Sequence, residues 1–237
     1  LSAISGIEDI ALTTNASLLA DQAADLARAG LRRVNISLDS LKPETFSEIT
    51  RGGRLEEALS GIRAAERAGL APIKINTVVM RGINDEEIPD LGRLSVDRGW
   101  HVRFIELMPV GCEAGRWEER FSPATTANGG GPADTYRLPG ALGTVGVISP
   151  VSRHFCGKCN RLRLTADGMV RSCLLSPGEV DVREVLRTAG ADSELAAALL
   201  QAARLKPVEH GLGLRTELSA AAASMKVPQA AMSQVGG

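Results

Sequence analysis

Arg33-Val34-Asn35-Ile36-Ser37-Leu38, then RLEEALSGIRAAERAG over residues 54–69, then Ile73-Lys74-Ile75-Asn76-Thr77-Val78-Val79 form the stretch that decides the fold. The first and last runs are short and rich in β-branched residues, which predicts strands. Between them Leu55, Leu59 and Ile62 recur at helical spacing, and Gly69 stands where a helix should stop. One β–α–β unit is therefore legible. Working outward, Ile7–Thr13 predicts an earlier strand, and Leu18–Ala29 a helix closed by Gly30. Asn84-Asp85-Glu86-Glu87 predicts a third helix start, with an N-cap and early acids. His101–Leu107 predicts a fourth strand. Such regular alternation implies a parallel sheet or a (β/α) barrel.

In folds of that class, functional groups gather at the C-terminal strand ends. Thr13, Thr14 and Asn15 end the first strand, and Ser37 and Asp39 the second. Asn76 and Thr77 lie in the third, and Glu106 and Met108 end the fourth. Any one of these reads as a cap or turn residue; recurrence on four strands favours a site. Lys74 stands in an otherwise apolar run, where an amine needs a partner or an anion.

From about Gly111 to Gly140 the character changes. Asn128-Gly129-Gly130-Gly131-Pro132, with Pro123 and Pro139 nearby, predicts loop, so residues 111–143 read as a linker. Beyond it, Val145–Ile148, Leu162–Thr165 and Met169–Ser172 predict short strands. Asp167-Gly168 supplies the turn between the last two. Helices are predicted at Val182–Ala189, ending by Gly190, and at Glu194–Leu205. The chain divides into an α/β part over 1–110 and a small α+β part over 144–237.

Twenty-seven basic residues against 28 acidic ones leave a net charge of -1. Nothing global attracts nucleic acid or an anionic membrane, so any basic site must be local. No apolar run approaches the roughly 18–20 residues of a spanning helix, and no signal peptide is evident. The expectation is a cytoplasmic protein, in a compartment where clustered cysteines favour metal over disulfides.

Cys156-Gly157-Lys158-Cys159 is followed, thirteen residues on, by Cys173. Three grouped thiols predict a soft-metal site. A structural zinc would need a fourth ligand, for which His154 or Cys112 is available. Iron–sulfur clusters also usually take four thiolates, so with three one iron is left open. Arg161 and Arg163 alternate just after the pair and point to an anionic ligand beside it.

These runs also carry a family likeness: LTTNA at 12–16, RVNISLDSL at 33–41, IKINTVVMRGINDEEI at 73–88, VRFIELMPVG at 102–111, HFCGKCNRLRLTADG at 154–168 and MSQVGG at 232–237. In order and spacing the chain resembles the GTP 3′,8-cyclases of molybdenum cofactor (molybdopterin) biosynthesis, the MoaA family of radical S-adenosylmethionine lyases. The resemblance implies a radical-SAM-type partial TIM barrel followed by a small α+β region that binds a cluster and GTP. It implies a first [4Fe–4S] cluster, on an N-terminal C-x3-C-x2-C motif, that cleaves S-adenosylmethionine. The 5′-deoxyadenosyl radical then takes the ribose 3′ hydrogen of GTP, and the carbon radical attacks guanine C8, giving 3′,8-cyclo-7,8-dihydro-GTP.

Residue by residue, the resemblance assigns Cys156, Cys159 and Cys173 to a second [4Fe–4S] cluster. It assigns Thr13, Lys74, Arg161, Leu162 and Arg163 to GTP, with Arg103 adding charge near the nucleotide. Ser37 and Met108 would meet S-adenosylmethionine, and Gly236 and Gly237 form a tail able to enter the active site. A homodimer is implied as well. The departures are equally specific. The four cysteines include no C-x3-C-x2-C, and the family's glycine- and glutamate-containing S-adenosylmethionine segment is missing. The expectation is an incomplete barrel lacking its first one or two β/α units, inactive alone and marginally stable. The alternative is a non-catalytic GTP-binding module stabilised by zinc or an iron–sulfur cluster.

Overall fold

A computed structural model describes residues 1–108, 133–153, 155–188 and 192–210. Their contacts divide into two compact units. Of the described residues, the first holds Leu1–Leu107 and 133–148, and the second Met108 and those from Ser149 on.

The first unit is built on a six-stranded sheet in the order β1-β2-β3-β4-β6-β5. Its strands are β1 (Ala11–Thr14), β2 (Arg33–Ser37), β3 (Ile73–Val79), β4 (His101–Glu106), β5 (Asp134–Tyr136) and β6 (Thr144–Ile148). β1 through β4 and then β6 run parallel, while β5 pairs antiparallel with β6. The connections carry α1 (Leu19–Arg28), α2 (Pro43–Thr50), α3 (Leu55–Arg67) and α4 (Ile88–Asp97). This is the expected α/β architecture with a parallel sheet.

Alternation along the strands sorts the side chains onto two faces. Val34 and Ile36, Ile75, and Val102 and Phe104 are buried in one core with Leu19, Leu55, Ile62, Ala65 and Leu91 of the helices. α1 and α3 lie close: a Cβ on Gly61 would come within 2.2 Å of the Ala16 carbonyl oxygen and 3.1 Å of Leu19 Cβ. Only glycine fits that crossing. Ala16 itself takes a left-handed backbone, φ 63°.

Several boundaries differ from the sequence reading. β1 begins at Ala11 and not Ile7, and α2 was not foreseen: its Pro43-Glu44-Thr45-Phe46 start has Pro at the first turn but buries only Phe46. Asn84 stands at the N-cap position of a 3-10 turn, but its side chain makes no capping bond. Its side-chain oxygen accepts from the Met80 N–H at 2.7 Å, and its amide donates to the carbonyls of Asp39 (2.7 Å) and Val78 (2.8 Å). A single turn of 3-10 helix, Asp85–Glu87, precedes α4. Thr144–Ile148, read from sequence as the opening of the C-terminal part, instead adds a parallel strand beside β4. Pairing with β4 along five residues outweighs the short sequence distance to the cysteine segment.

The second unit contains a three-stranded antiparallel sheet, β7 (Arg163–Leu164), β8 (Met169–Arg171) and β9 (Glu179–Asp181), with α5 (Arg183–Arg187) and α6 (Asp192–Arg204). Gly168, at φ 85°, completes the turn between β7 and β8 as read from sequence. Among its described residues the core cluster is small: Val170, Val180, Val182 and Ala202, with Leu195 and Ala198 against them. No described helix is long and apolar enough to cross a membrane.

Candidate functional site

In the first unit the face of the sheet opposite the helices is polar. Register aligns Thr13, Asn35, Lys74, His101 and Thr144 in one row across five strands. Two residues further along, Ser37, Asn76 and Arg103 make a second row. Asn35 Nδ2 donates to Thr13 Oγ1 at 3.3 Å, and His101 Nδ1 lies 2.7 Å from Thr144 Oγ1. Lys74, His101, Arg103, Thr135 and Thr144, with Pro72 and Gly146, line a cavity of about 350 Å³.

The electrostatics of this face are one-sided. Burial lowers the Lys74 pKa, and the nearby Arg103 and Arg33 lower it further, while Asp9 opposes them. Arg103 is held down by burial and by Arg33. His101 is likewise driven toward its neutral form by burial and by Lys74, Arg103 and Arg137. The acid opposing them, Asp9, is bidentate to Arg33, at 3.1 and 2.8 Å from Nε. The buried side-chain oxygens of Asn35 and Asn76 have no hydrogen-bond partner. Half-buried like charges with unused acceptors beside them are costly to a fold. An anionic ligand carrying hydroxyl or N–H donors would relieve both costs.

The structure sorts the sequence candidates. Thr13, Ser37, Lys74, Asn76 and Arg103 share the polar face. Thr14 and Asn15 are turn residues, accepting from Ala16 N–H at 3.0 Å and Ser17 N–H at 3.1 Å. Thr77 points to the core side and donates to the Leu38 carbonyl at 2.7 Å. Asp39 accepts from Val78 N–H at 2.7 Å, and desolvation of its carboxyl raises its pKa to about 6. Glu106 is buried with the core-facing residues. Met108 is half-buried. Asn35 and His101 were missed. Period-two parity with Ser37 and Arg103 was the signal that would have found them.

In the second unit Cys156 opens a turn of 3-10 helix, Cys156–Lys158, and the Cys159 N–H donates to the Cys156 carbonyl at 3.0 Å. Arg163 pairs with Arg171 across the hairpin, two residues before Cys173. All three thiols are free and partly exposed. Burial raises Cys156, and the other two thiols add to the rise, while the His210 backbone N–H opposes it. Burial also acts to raise Cys159. Arg161, through backbone and side chain, and the Lys206 amine outweigh it and bring the thiol to about 7. The Leu175 N–H donates to Cys173 Sγ at 3.4 Å.

The donor set suits a thiolate-ligated iron–sulfur group: one thiol is already near neutral pKa, and each sulfur faces an N–H. Among the described residues no three His, Cys, Asp or Glu side chains converge tightly enough for a single metal ion. A cubane differs in this respect, because each thiolate takes its own iron. Arg161 stacks 5.0 Å over the Phe155 ring. Burial and Arg161 lower Arg163, while Cys159 and Cys173 support its charge. Leu162, between them, is exposed. Cys112, His154, Gly190, Gly236 and Gly237 lie outside the described residues.

Two family models match the chain: the radical SAM superfamily over residues 1–94 and Molybdenum Cofactor Synthesis C over residues 120–212. A GTP 3′,8-cyclase of Pelotomaculum thermopropionicum is 46% identical over 227 residues, 89% of this chain and 70% of that protein. One from Heliobacterium modesticaldum is 45% identical over 256 residues, covering 99% and 74%. One from Listeria monocytogenes is 44% identical over 254 residues, covering 100% and 75%. With both family models side by side on one chain and such identity over most of its length, the chain belongs to the GTP 3′,8-cyclase family of radical SAM proteins.

Proposed function

We propose that the chain carries the GTP-binding part of a GTP 3′,8-cyclase of molybdenum cofactor biosynthesis, with GTP and S-adenosylmethionine as its substrates. The observation that carries this reading is the polar face with Lys74 and Arg103 at its centre and Asp9 already engaged by Arg33. A triphosphate supplies the missing negative charge. Lys74 and Arg103 hold its phosphates, the latter with the fixed-fork donors suited to phosphate. Thr13 adds a hydroxyl. Ser37, exposed at the end of β2, and Met108 contact S-adenosylmethionine.

In the second unit Cys156, Cys159 and Cys173 would hold a [4Fe–4S] cluster, which would supply a Lewis-acidic iron for the substrate. Arg161, Leu162 and Arg163 bind GTP in this unit, and the family likeness assigns Gly236 and Gly237 to a tail that contributes to catalysis. The radical chemistry of the family would come from a cluster held by its N-terminal motif. The 237 residues contain no C-x3-C-x2-C, so by themselves they generate no radical and act as a GTP-binding module. The whole enzyme is a homodimer in the cytoplasm.

Anaerobic reconstitution followed by GTP titration tests this. The double substitution Arg161→Ala, Arg163→Ala should weaken GTP binding at least tenfold, since each charge-assisted hydrogen bond contributes about 1.5–3 kcal/mol. Unchanged affinity would refute the assignment of these arginines. A separate assay with S-adenosylmethionine and reductant should yield no 5′-deoxyadenosine from this chain; its formation would refute the inactive reading.

A further inference from the structure

Residues 205–210 follow α6 and run alongside the cysteine hairpin. Ser172 Oγ donates to the Leu205 carbonyl at 3.4 Å, and Ser176 Oγ to the His210 carbonyl at 3.5 Å. The buried His210 ring anchors the far end, with Nε2 2.6 Å from the Pro150 carbonyl. Lys206 sits between these anchors. Its Nζ donates to the Arg161 carbonyl at 2.8 Å and to the Ser172 carbonyl at 3.1 Å. One carbonyl belongs to the residue two after Cys159, the other to the residue just before Cys173. The same amine faces the Cys159 sulfur.

Fixing a lysine on two carbonyls costs up to about 2 kcal/mol of side-chain entropy. Both acceptors are neutral, so the full positive charge remains beside the thiol. A backbone that needed only two carbonyls satisfied would not require a cation there.

We propose that Lys206 is a positioning residue of the cysteine site, tying the Cys156–Cys159 side of the hairpin to the Cys173 side and holding a fixed charge against Cys159. The proposal rests on the reading of the three cysteines as iron–sulfur ligands. Outer partners of this kind orient the ligands and set the electronic properties of the bound group. A cation and N–H donors at the ligating sulfurs favour the reduced, more negative state.

The test uses the anaerobically reconstituted chain, or the full-length enzyme, with Lys206→Met and Lys206→Arg. Iron and sulfide per chain are followed during chelator challenge, and the midpoint potential is taken by redox titration with electron paramagnetic resonance. Lys206→Met should lose iron several-fold faster and titrate at a more negative potential. Lys206→Arg should keep the potential near wild type, because the charge remains. A Lys206→Met protein with wild-type retention and potential would overturn the proposal. So would equal loss in both variants with unchanged circular dichroism, which would leave packing and not charge as the role. If Lys206→Met loads nothing while Lys206→Arg loads at the wild-type potential, the proposal is supported. Failure of the wild-type chain to load iron and sulfide would instead sink the iron–sulfur reading itself, and this proposal with it.

Discussion

Asp39 shows how a single carboxyl can lower the stability of its own fold. Its oxygen accepts the Val78 N–H, yet desolvation raises its pKa from 3.8 to about 6. Folding therefore binds more protons than the unfolded chain does between those two values. The contribution to stability is greatest below the unfolded pKa and is lost as pH rises through about 6. Asp39→Asn keeps an acceptor for Val78 and removes the titration. It should lie close to wild type near pH 4 and exceed it by about 3 kcal/mol at pH 8, as read by urea melts at both values. An identical difference at the two pH values would mean that folding leaves the carboxyl's pKa unchanged. At this scale the sequence was informative for Lys74, because an amine in an apolar run stands out. For Asn35 the alternation with Ser37 gave the face, but its alignment with Thr13 and Lys74 depends on a register that neighbouring strands impose.

Secondary elements were legible where the apolar period was long and unbroken. α3 has Leu55, Ala58, Ile62 and Ala65 buried on one stripe, and its sequence shows it. α2 has one buried side chain, so no period announces it. Asn84 differs for another reason: its side-chain donors and acceptor are consumed by Asp39 after β2, Val78 near the end of β3 and Met80 just beyond it, which overrides local side-chain capping. Gly61 gives the sharpest test at this level. On propensity alone Gly61→Ala should stabilise a helix interior by roughly 0.5–1 kcal/mol. Here the new methyl meets backbone at 2.2 Å, so α1 and α3 must separate. A net loss of about 1–3 kcal/mol is expected in chemical denaturation. A more stable variant would show that the crossing has slack.

The two units are unequally equipped to stay folded. The first has a broad aliphatic core, whereas the described residues of the second bury five apolar side chains, of which four, Val170, Val180, Val182 and Ala202, form one cluster. Small cores depend on a staple such as a bound metal group. Cys159→Ala should therefore strip amide-exchange protection from β7, β8 and β9 while leaving β2, β3 and β4 protected, measured by hydrogen exchange after anaerobic reconstitution. Equal loss in both sheets would mean that the units unfold together. The parallel architecture was readable from alternation. The assignment of Thr144–Ile148 was not, because only long-range pairing with β4 decides it. The clustered positive charge of Lys74, Arg103 and Arg33 has one more consequence. Any nucleotide bound there stabilises the folded chain, by about 2.7 kcal/mol at a hundred times its dissociation constant. Unliganded copies would open more often and meet cellular proteases more often. The amount of this protein in a cell would then track its guanine nucleotide supply, with degradation registering an empty site before any change in product.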